Sequence, residues 1–316
     1  MQLQSHQTAF LFPGQGSQIV GMGKELAETF PSARRIFFDA DNLLGFSLST
    51  LTWHGPEDEL NDTVNTQPAL LVHSVATLTV FQERYPHFEP AFVAGHSMGE
   101  LSALVAAGAL SFESALALVR SRGELMKAAG DNSPGGMAAI LGLDIPTLEE
   151  VCARASQDSD IVQVANDNCP GQVVISGSRV ALERALRLAN QAGARRAVPL
   201  AVSIAAHSPL MEHAQSDFNR AVSRASLSEP KIALIGNVTA KPLKNAAEIS
   251  SDLQAQLTSR VRWTESIQYM LSQGVTSFIE IGSGSVLTGL LRRIDRQASG
   301  VILGAPDDFE NLVAAS

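Results

Sequence analysis

Residues 91–104 form the stretch AFVAGHSMGELSAL, in which a short apolar run ends at Gly95 and a helical pattern begins at Glu100. Ser97 stands between them in the pattern Gly-X-Ser-X-Gly. That pattern is typical of a nucleophile elbow, a sharp turn from strand to helix that projects a serine hydroxyl outward. The first turn of the helix also supplies unpaired backbone N–H groups and the positive end of the helix dipole. The stretch therefore predicts a strand, a helix and a candidate nucleophile at the turn between them.

The rest of the chain alternates short apolar runs with longer helical patterns, which predicts an α/β protein with a mainly parallel sheet. The predicted strands of that sheet are residues 8–12, 91–94, 231–235, 277–281 and 301–303. The middle of the chain differs, since it predicts strand 137–141, helix 146–155, strands 161–165 and 172–176, helix 179–192 and strand 195–200. This βαββαβ order is typical of a ferredoxin-like unit. We predict an α/β-hydrolase-like core of residues 1–131 and 202–316, with an inserted ferredoxin-like subdomain of residues 132–201.

Composition and charge exclude several classes of function. The 316 residues carry a net charge of −9, which argues against a nucleic-acid-binding or anionic-membrane surface. No apolar run is long enough for a transmembrane helix, and the first ten residues, MQLQSHQTAF, lack the pattern of a secretory signal. The two cysteines, Cys152 and Cys169, form neither a disulfide framework nor a zinc motif. We therefore expect a cytoplasmic location, no metal, no membrane and no nucleic-acid partner.

A serine nucleophile needs a base within hydrogen-bond reach, and the chain has seven histidines. His207 follows the apolar run 199–206 and precedes Ser208-Pro209, where we expect a strand to give way to a helix. Such a loop is where α/β sheets place catalytic groups, although a residue that simply begins a helix remains the alternative. His96 adjoins the serine, but neighbouring residues on a turn point apart, and His73 lies in an apolar helix typical of a core.

An oxyanion needs hydrogen-bond donors, and the stretch FPGQGSQIVGMG, residues 12–23, follows the first predicted strand. It resembles a dinucleotide-binding loop, but Ile19 takes the place of the third glycine and the Lys-Ser/Thr of a P-loop is missing. We therefore predict no bound cofactor there. The glycine-flanked Gln15 is instead suited to present an N–H group to an oxyanion.

Several of these motifs occur together in one known family. FPGQGSQ at 12–18, GHSMGE at 95–100, Ser121-Arg122-Gly123, NDNCPGQVVISG at 166–177 and VSIAAHSPLM at 202–211 follow the family's order. TQPAL at 66–70 and EIGSGSVLTGLLRR at 280–293 also match. From about residue 10 to residue 294, the chain resembles the malonyl-CoA:acyl carrier protein transacylases. This joint match is far more specific than any single motif.

The resemblance implies roles for individual residues. Ser97 matches the serine that accepts the acyl group, and His207 matches its base. Gln15 and the backbone N–H of Met98 would form the oxyanion hole. Arg122 matches the arginine that pairs with the free carboxylate of the malonyl group, for which its planar two-pronged donor is suited.

Two further residues follow from the same resemblance. Gln256 matches the glutamine that orients the histidine through its backbone carbonyl or side chain, with a surface helix residue as the alternative. Asn166 matches a position beside the substrate cleft and is expected to contact substrate. The segment VSIAAH departs from the VPSH pattern common in fatty-acid members, because Ala205-Ala206 precede the histidine. We expect that departure to bear on acyl-group selectivity.

The activity implied is transfer of malonyl from malonyl-CoA to the phosphopantetheine thiol of holo acyl carrier protein, through an ester at Ser97. Fatty-acid biosynthesis is the expected pathway, with a discrete acyltransferase of a polyketide synthase or of a malonate decarboxylase system as alternatives. A serine thioesterase or esterase is a further alternative, disfavoured because no HGGG motif is present. A scaffold protein with an inactive site is disfavoured because no expected site residue is missing.

We also expect a monomer. A basic patch is needed to bind an acidic carrier protein, because the chain itself is acidic. One candidate patch is Arg292, Arg293 and Arg296, and the other is Arg195 and Arg196. An ordinary solvated face is the alternative for each.

Overall fold

The computed structural model describes residues 2–202 and 204–314. Its strands are β1 (Gln2–Leu3), β2 (Thr8–Phe12), β3 (Phe92–Gly95), β4 (Gly135–Leu141), β5 (Val162–Cys169), β6 (Gln172–Ser178), β7 (Arg196–Pro199), β8 (Ala233–Ile235), β9 (Pro242–Leu243), β10 (Ser277–Ile281), β11 (Ser299–Leu303) and β12 (Val313–Ala314).

The α-helices are α1 (Lys24–Thr29), α2 (Pro31–Leu44), α3 (Leu48–His54), α4 (Glu57–Asn61), α5 (Thr63–Arg84), α6 (Gly99–Ala106), α7 (Phe112–Asn132), α8 (Ile145–Ala155), α9 (Arg179–Gln191), α10 (Glu212–Arg224), α11 (Ala246–Gln256), α12 (Trp263–Ser272) and α13 (Val286–Ile294). Short 3-10 helices occupy Ser5–Gln7, Pro209–Met211 and Pro306–Asn311. Within the described ranges, no helix combines the length and hydropathy needed to cross a membrane.

The largest sheet has the strand order β11-β10-β2-β3-β8-β9. Every neighbouring pair in it is parallel except β8 and β9, which are antiparallel. Alternate residues of each strand face opposite sides of the sheet. Phe10 and Phe12 of β2 therefore pack into one apolar cluster, while Ala9 and Leu11 pack into another on the opposite face. The sheet is buried on both faces, as expected of a parallel sheet covered by helices.

A second sheet of four antiparallel strands has the order β5-β6-β4-β7 and its own apolar cluster, formed with α8 and α9. The elements that build it follow the order βαββαβ, as the sequence predicts, and the first-to-last strand pairing is that of a ferredoxin-like unit. The predicted fold class, a mainly parallel α/β core with this insertion, is thus confirmed. The division at residues 132 and 201 stays our proposal for the subdomain boundaries.

The carboxyl ends of the parallel strands position the candidate site. Ser97 follows β3, Gln15 follows β2, and Asn237 follows β8, which is the other neighbour of β3. Loops at this edge are where open α/β sheets bind ligands. The fold therefore gathers residues that are far apart in sequence around the turn after β3.

Candidate active site

The turn between β3 and α6 is a strained elbow centred on Ser97. This residue has a φ of 52°, a backbone conformation that residues other than glycine rarely adopt. A Cβ on Gly95 would lie 2.0 Å from the carbonyl oxygen of Gly99. A Cβ on Gly99 would lie 2.3 Å from the carbonyl oxygen of Phe12 on the neighbouring strand. Both glycines of the motif are thus required for the chain to turn this tightly.

The serine hydroxyl contacts a histidine. Ser97 Oγ lies 2.8 Å from His207 Nε2, and His207 Nδ1 lies 2.8 Å from the backbone carbonyl oxygen of Gln256. A carbonyl oxygen only accepts hydrogen bonds, so Nδ1 carries the proton and Nε2 is free to accept from the hydroxyl. The geometry therefore fixes the imidazole in the tautomer that a general base needs.

The imidazole is held in its neutral form. His207 is 2% exposed, and burial together with the positive charge of Arg122 lowers its pKa to about 3. The hydrogen bond to Gln256 opposes this shift, because that carbonyl lies at the carboxyl end of α11 and favours a positive imidazole. In the enzyme without substrate, His207 is consequently unprotonated at neutral pH and ready to accept a proton.

Arg122, on α7, is buried on the other side of the serine. Its Nη1 donates to Gln67 Oε1 at 2.8 Å, and its Nη2 donates to Gln256 Oε1 at 2.8 Å. The same Nη2 lies 3.2 Å from Ser97 Oγ. Burial lowers the arginine pKa to about 10, which leaves the guanidinium charged at neutral pH. No carboxylate in the described part of the chain forms an ion pair with it, so its charge is available to an anion.

A chain of hydrogen bonds links this arginine to the loop after β2. Gln67 Nε2 donates to Thr63 Oγ1 at 2.8 Å, and Thr63 Oγ1 donates to Gln15 Oε1 at 2.9 Å. The Gln15 amide nitrogen is thereby left to donate elsewhere. The backbone N–H of Met98 has no acceptor among residues 2–202 and 204–314. Gln15 and Met98 thus each retain an N–H group, and the oxyanion hole expected from them stays a prediction.

Two buried residues join the site without having been predicted. Asn237 accepts a hydrogen bond from Ser97 N at 2.8 Å and donates to Gly95 O at 2.8 Å. Glu100, within the GHSMGE motif, accepts from Gln256 Nε2 at 2.7 Å. The signal for Asn237 was present, because it lies two residues beyond a predicted strand, at the same edge as Ser97. Nothing in the local sequence indicates that Glu100 is fully buried.

Four findings concern the insertion and the histidine loop. Asn166 is buried on β5, and its side chain forms no hydrogen bond within the described residues, so its predicted substrate contact stays a prediction. Its neighbour Asn168 instead contacts the elbow, 2.8 Å from His96 Nε2. Gln163, also on β5, donates to the His207 carbonyl oxygen at 2.7 Å. The expectation that a strand runs directly into His207 is wrong, since β7 ends at Pro199.

Gln256 is buried at 2% exposure, so its alternative as a surface residue is wrong. Its backbone carbonyl contacts the histidine while its side chain contacts Arg122, which separates two functions that the sequence left open. His73 is buried in α5 and hydrogen-bonds Gly304 O at 2.9 Å, as expected of a core histidine. Among the described residues, no group of three or more His, Cys, Asp or Glu side chains is arranged to hold a metal ion.

The site thus combines a serine, a neutral base and an unpaired buried cation around one oxygen atom. Ser97 Oγ is placed to attack a carbonyl carbon, with His207 to receive its proton. Arg122 is placed to bind a carboxylate carried by the same substrate. Acyl transfer from an activated ester or thioester with an acidic acyl group is the chemistry that this arrangement supports.

Comparison with known proteins agrees with that chemistry. A family model for the acyl transferase domain matches residues 9–305. The malonyl CoA-acyl carrier protein transacylase of Bacillus subtilis (strain 168) is 46% identical over 302 residues, covering 96% of this chain and 95% of that protein. The crystal structure of an acyl carrier protein S-malonyltransferase from Vibrio cholerae O1 biovar eltor str. N16961 is 42% identical with a TM-score of 0.93, covering 96% of this chain and 99% of that one.

A third relative was solved with its protein partner. The structure of a type II PKS acyl-carrier protein in complex with its malonyl-transacylase matches with a TM-score of 0.93 and 42% identity. The match covers 96% of this chain and 98% of the matched chain. All three likenesses extend over nearly the whole of both proteins.

Proposed function

Since the chain belongs to the acyl transferase domain family, we propose that it transfers a malonyl group from malonyl-CoA to the phosphopantetheine thiol of holo acyl carrier protein. One observation carries this proposal: Ser97 Oγ lies 2.8 Å from His207 Nε2 and 3.2 Å from Arg122 Nη2. A nucleophile between a base and a buried cation fits an acyl group that bears a carboxylate.

The reaction has two half-reactions that share the serine. In the first, His207 Nε2 takes the hydroxyl proton as Ser97 Oγ forms a bond to the malonyl carbonyl carbon. The carbon–sulfur bond then breaks, and the proton passes from Nε2 to the departing CoA thiolate. In the second, the carrier thiol gives its proton to Nε2 and its sulfur attacks the ester carbonyl carbon. The bond between that carbon and Ser97 Oγ then breaks, and Oγ regains the proton from Nε2. This sequence is ping-pong.

Arg122 provides selectivity for malonyl over acetyl. Its two terminal nitrogens match the two oxygens of a carboxylate, which a lysine ammonium does not. An acetyl group would leave this buried charge without an anionic partner, at a cost of several kcal/mol. We further propose that Gln15 Nε2 and Met98 N stabilise the oxyanion of the tetrahedral intermediate. Asn166 remains a proposed substrate contact.

The role proposed for Gln256 is to orient the histidine. Its carbonyl oxygen is a neutral acceptor for His207 Nδ1, and a neutral group suffices because the orienting residue need not be ionised. Hydrolysis competes with transfer at any acyl-serine. We propose that the ester is protected because the site accepts the thiol of a carrier arm and positions water poorly.

Two arginine groups that the sequence presents as alternatives lie on one surface. Leu141 pairs with Arg196 on one side and with Gln172 on the other, and Gln172 Oε1 accepts a hydrogen bond from Arg293. Arg195 donates its backbone N–H to Leu141 O at 2.8 Å. Through these contacts, the end of β4 brings β7 and α13 to the same end of the second sheet.

We name the five exposed arginines of these two groups the arginine surface, which comprises Arg195, Arg196, Arg292, Arg293 and Arg296. In the described ranges, none of the five takes part in an ion pair. Unpaired positive charges on an acidic protein favour a local docking site for an acidic partner. We propose that the carrier protein docks there.

The pathway served is proposed to be fatty-acid biosynthesis in the cytoplasm, with the enzyme acting as a monomer. The likeness to a malonyl-transacylase solved with a type II PKS acyl-carrier protein favours one second candidate, a discrete acyltransferase of polyketide synthesis. Both candidates use the same acyl-serine chemistry and differ only in the carrier protein.

The experiment that tests the function is intact-protein mass spectrometry after brief mixing with malonyl-CoA. We expect a malonyl adduct on the wild type and none on Ser97→Ala. Addition of holo acyl carrier protein should clear the adduct and move the malonyl group to the carrier. Acetyl-CoA serves as the comparison substrate and should acylate the serine more slowly.

Two results would contradict the proposal. Release of free malonate at the same rate with and without the carrier would indicate a thioesterase. An adduct from another acyl-CoA, without one from malonyl-CoA, would retain Ser97 as nucleophile and remove the role given to Arg122.

A further inference from the structure

Three buried polar residues near the elbow have no part in the steps above. Glu100, Asn237 and Asp252 are 0%, 3% and 4% exposed. They come from α6, the loop after β8 and α11, so their proximity results from the tertiary fold. Buried polar groups are costly unless they are hydrogen-bonded, which makes their partners informative.

One oxygen of Glu100 is a shared acceptor for two carboxamides. Its Oε2 accepts from Gln256 Nε2 at 2.7 Å and from Asn237 Nδ2. It also lies 3.3 Å from the backbone N of Asn237. The orientation of both carboxamides is therefore tied to the position of a single carboxyl group.

These two carboxamides hold the peptide groups of the strained serine. Asn237 Oδ1 accepts from Ser97 N at 2.8 Å, and Gln256 Nε2 donates to Ser97 O at 3.3 Å. A residue with a positive φ stays in place only when its surroundings determine its conformation. Here both backbone polar groups of Ser97 are held by side chains that also bond Glu100.

The same network reaches the arginine. Gln256 stands between Glu100 and Arg122, with its Nε2 on the carboxyl group and its Oε1 on the guanidinium. The carboxyl group thus positions Arg122 through an amide rather than through an ion pair.

The second oxygen of Glu100 indicates that this carboxyl group is protonated. Oε1 is buried and receives no hydrogen bond from any described residue. Burial and the nearby negative charge of Asp252 raise the pKa of Glu100 well above its usual value. The Asp252 carboxylate accepts from the backbone N–H groups of Val238 and Thr239, each at 3.3 Å, and is placed to accept the Glu100 proton as well. A neutral Glu100 leaves the charge of Arg122 uncompensated.

We propose that Glu100 is a positioning residue, which fixes the Gln256 and Asn237 carboxamides and through them the Ser97 peptide and the Arg122 guanidinium. The proposal rests on the proposed function for what Arg122 binds, and on geometry alone for the elbow. It accounts for the glutamate at the end of GHSMGE by its contacts rather than by the turn itself, which the two glycines already allow.

The test compares Glu100→Gln, Glu100→Ala and a matched control, Glu280→Ala. Glutamine reproduces a neutral acid, because its oxygen accepts from the two carboxamides while its NH₂ donates to Asp252. Glu280 is also fully buried, but it accepts from the backbone N–H groups of Leu287 and Thr288 at the start of α13. Glu280→Ala therefore shows how far the loss of any buried carboxyl group lowers the rates measured below.

Two rates are measured for each folded variant, after thermal unfolding confirms the fold. One is Ser97 labelling by a fluorophosphonate, which needs the elbow and the base but not Arg122. The other is acylation by malonyl-CoA relative to acetyl-CoA. We expect Glu100→Gln to stay within about threefold of wild type. Glu100→Ala should lower labelling by about 10- to 100-fold, the scale of a misplaced reacting group, and should also lower the malonyl preference.

The outcomes are distinguishable. If Glu100→Ala is affected no more than Glu280→Ala, or if Glu100→Gln loses as much as Glu100→Ala, the proposal is overturned. If Glu100→Ala does not fold, Glu100→Asp replaces it, because the shorter aspartate side chain withdraws from both carboxamides. Rates for Glu100→Asp equal to those of Glu100→Gln would again overturn the proposal. If the wild type accepts no malonyl group while the labelling pattern holds, the proposed function fails and the positioning role stands.

Discussion

Arg122 Nη2 lies 2.8 Å from Gln256 Oε1. Gln256 contacts two different functional groups, because its backbone carbonyl accepts from His207 Nδ1 while its side chain accepts from Arg122. The residue proposed to bind the substrate carboxylate and the proposed base are therefore held by one residue at the end of α11. A shift of that helix end would displace both groups together.

Replacing Arg122 with lysine should separate substrate selectivity from serine reactivity. Lysine has one ammonium nitrogen, so it cannot bond Gln67 and Gln256 from separate nitrogens as the planar fork of arginine does. We expect the Arg122→Lys variant to be acylated by malonyl-CoA about 100-fold more slowly, equivalent to ~2.7 kcal/mol. Acylation by acetyl-CoA should change by less than about fivefold, so the ratio of the two rates is the quantity to measure.

The matched control for that variant is Arg120→Lys, two residues away on α7. Arg120 forms an ion pair with Glu124 and contacts the carbonyl oxygen of Val64, outside the site. For Arg120→Lys, the ratio of the acylation rates with malonyl-CoA and acetyl-CoA should equal that of wild type. Equal losses for the two substrates in Arg122→Lys would mean that the arginine supports the site as a whole and does not select malonyl.

The pH dependence of acylation should reflect the buried, neutral histidine. Because the pKa of His207 is lowered to about 3, the base stays unprotonated throughout the range in which an ordinary histidine titrates. We expect the acylation rate of the free enzyme to show no inflection near pH 6.5, measured by quenched-flow mass spectrometry between pH 5 and 8. An inflection near 6.5 would show that the imidazole is solvated before substrate binds.

The same pKa has a consequence for stability. Between pH 6.5 and about 3 the unfolded chain binds a proton at His207 that the folded protein does not bind. The contribution of His207 to the free energy of unfolding is therefore fully present above pH 6.5. It is lost as the pH falls towards 3, by about 1.4 kcal/mol per pH unit. A His207→Gln variant lacks this term, so its unfolding free energy should fall less steeply than that of wild type as the pH falls below 6.5.

The fold could be predicted largely from the sequence because local patterns and global structure agree. The bounds predicted for the strands Thr8–Phe12 and Ser277–Ile281 equal those observed, since each is an apolar run that ends at a glycine or proline. The βαββαβ insertion was predicted for the same reason. The loop that carries His207 was not, because the apolar run 199–206 suggests a strand in sequence, whereas residues 204–206 pair with no strand.

The site was predictable where a motif carries it and unpredictable where only tertiary contacts do. Ser97 and Arg122 lie in short motifs, so their positions followed from the resemblance. Asn237 is 140 residues from the serine whose backbone it bonds, so its place after a predicted strand indicates the correct edge of the sheet but does not identify the contact. The same holds for Gln163, whose bond to the His207 loop depends on how the insertion packs against the core.

Charge reversal on the arginine surface should weaken carrier binding without affecting the first half-reaction. We expect Arg196→Glu and Arg293→Glu each to raise the KM for acyl carrier protein by about tenfold while leaving the KM for malonyl-CoA unchanged. The effect should shrink as salt is added, because exposed charges are screened. Arg224→Glu, an exposed residue at the end of α10, is the matched control. A carrier KM that does not differ between these variants and the control would exclude this surface.

The protonation state of Glu100 predicts how stability depends on pH. Its pKa is raised in the folded protein, so the folded state binds a proton that the unfolded chain has released above about pH 4.5. The contribution of this group is fully present below pH 4.5 and is lost as the pH rises towards the folded pKa. Glutamine does not titrate, so Glu100→Gln should become progressively more stable relative to wild type as the pH rises from 5 to 8.

Urea unfolding of wild type and Glu100→Gln at several pH values measures the difference in their unfolding free energies. Titrating groups that both proteins share cancel in this difference, apart from any change in the pKa of the Asp252 carboxyl. A difference in unfolding free energy that grows with pH supports a protonated Glu100. Parallel curves would mean that Glu100 is ionised in the folded protein. The carboxyl group would then partly neutralise Arg122 through Gln256, and the selectivity for a malonyl carboxylate would need another source.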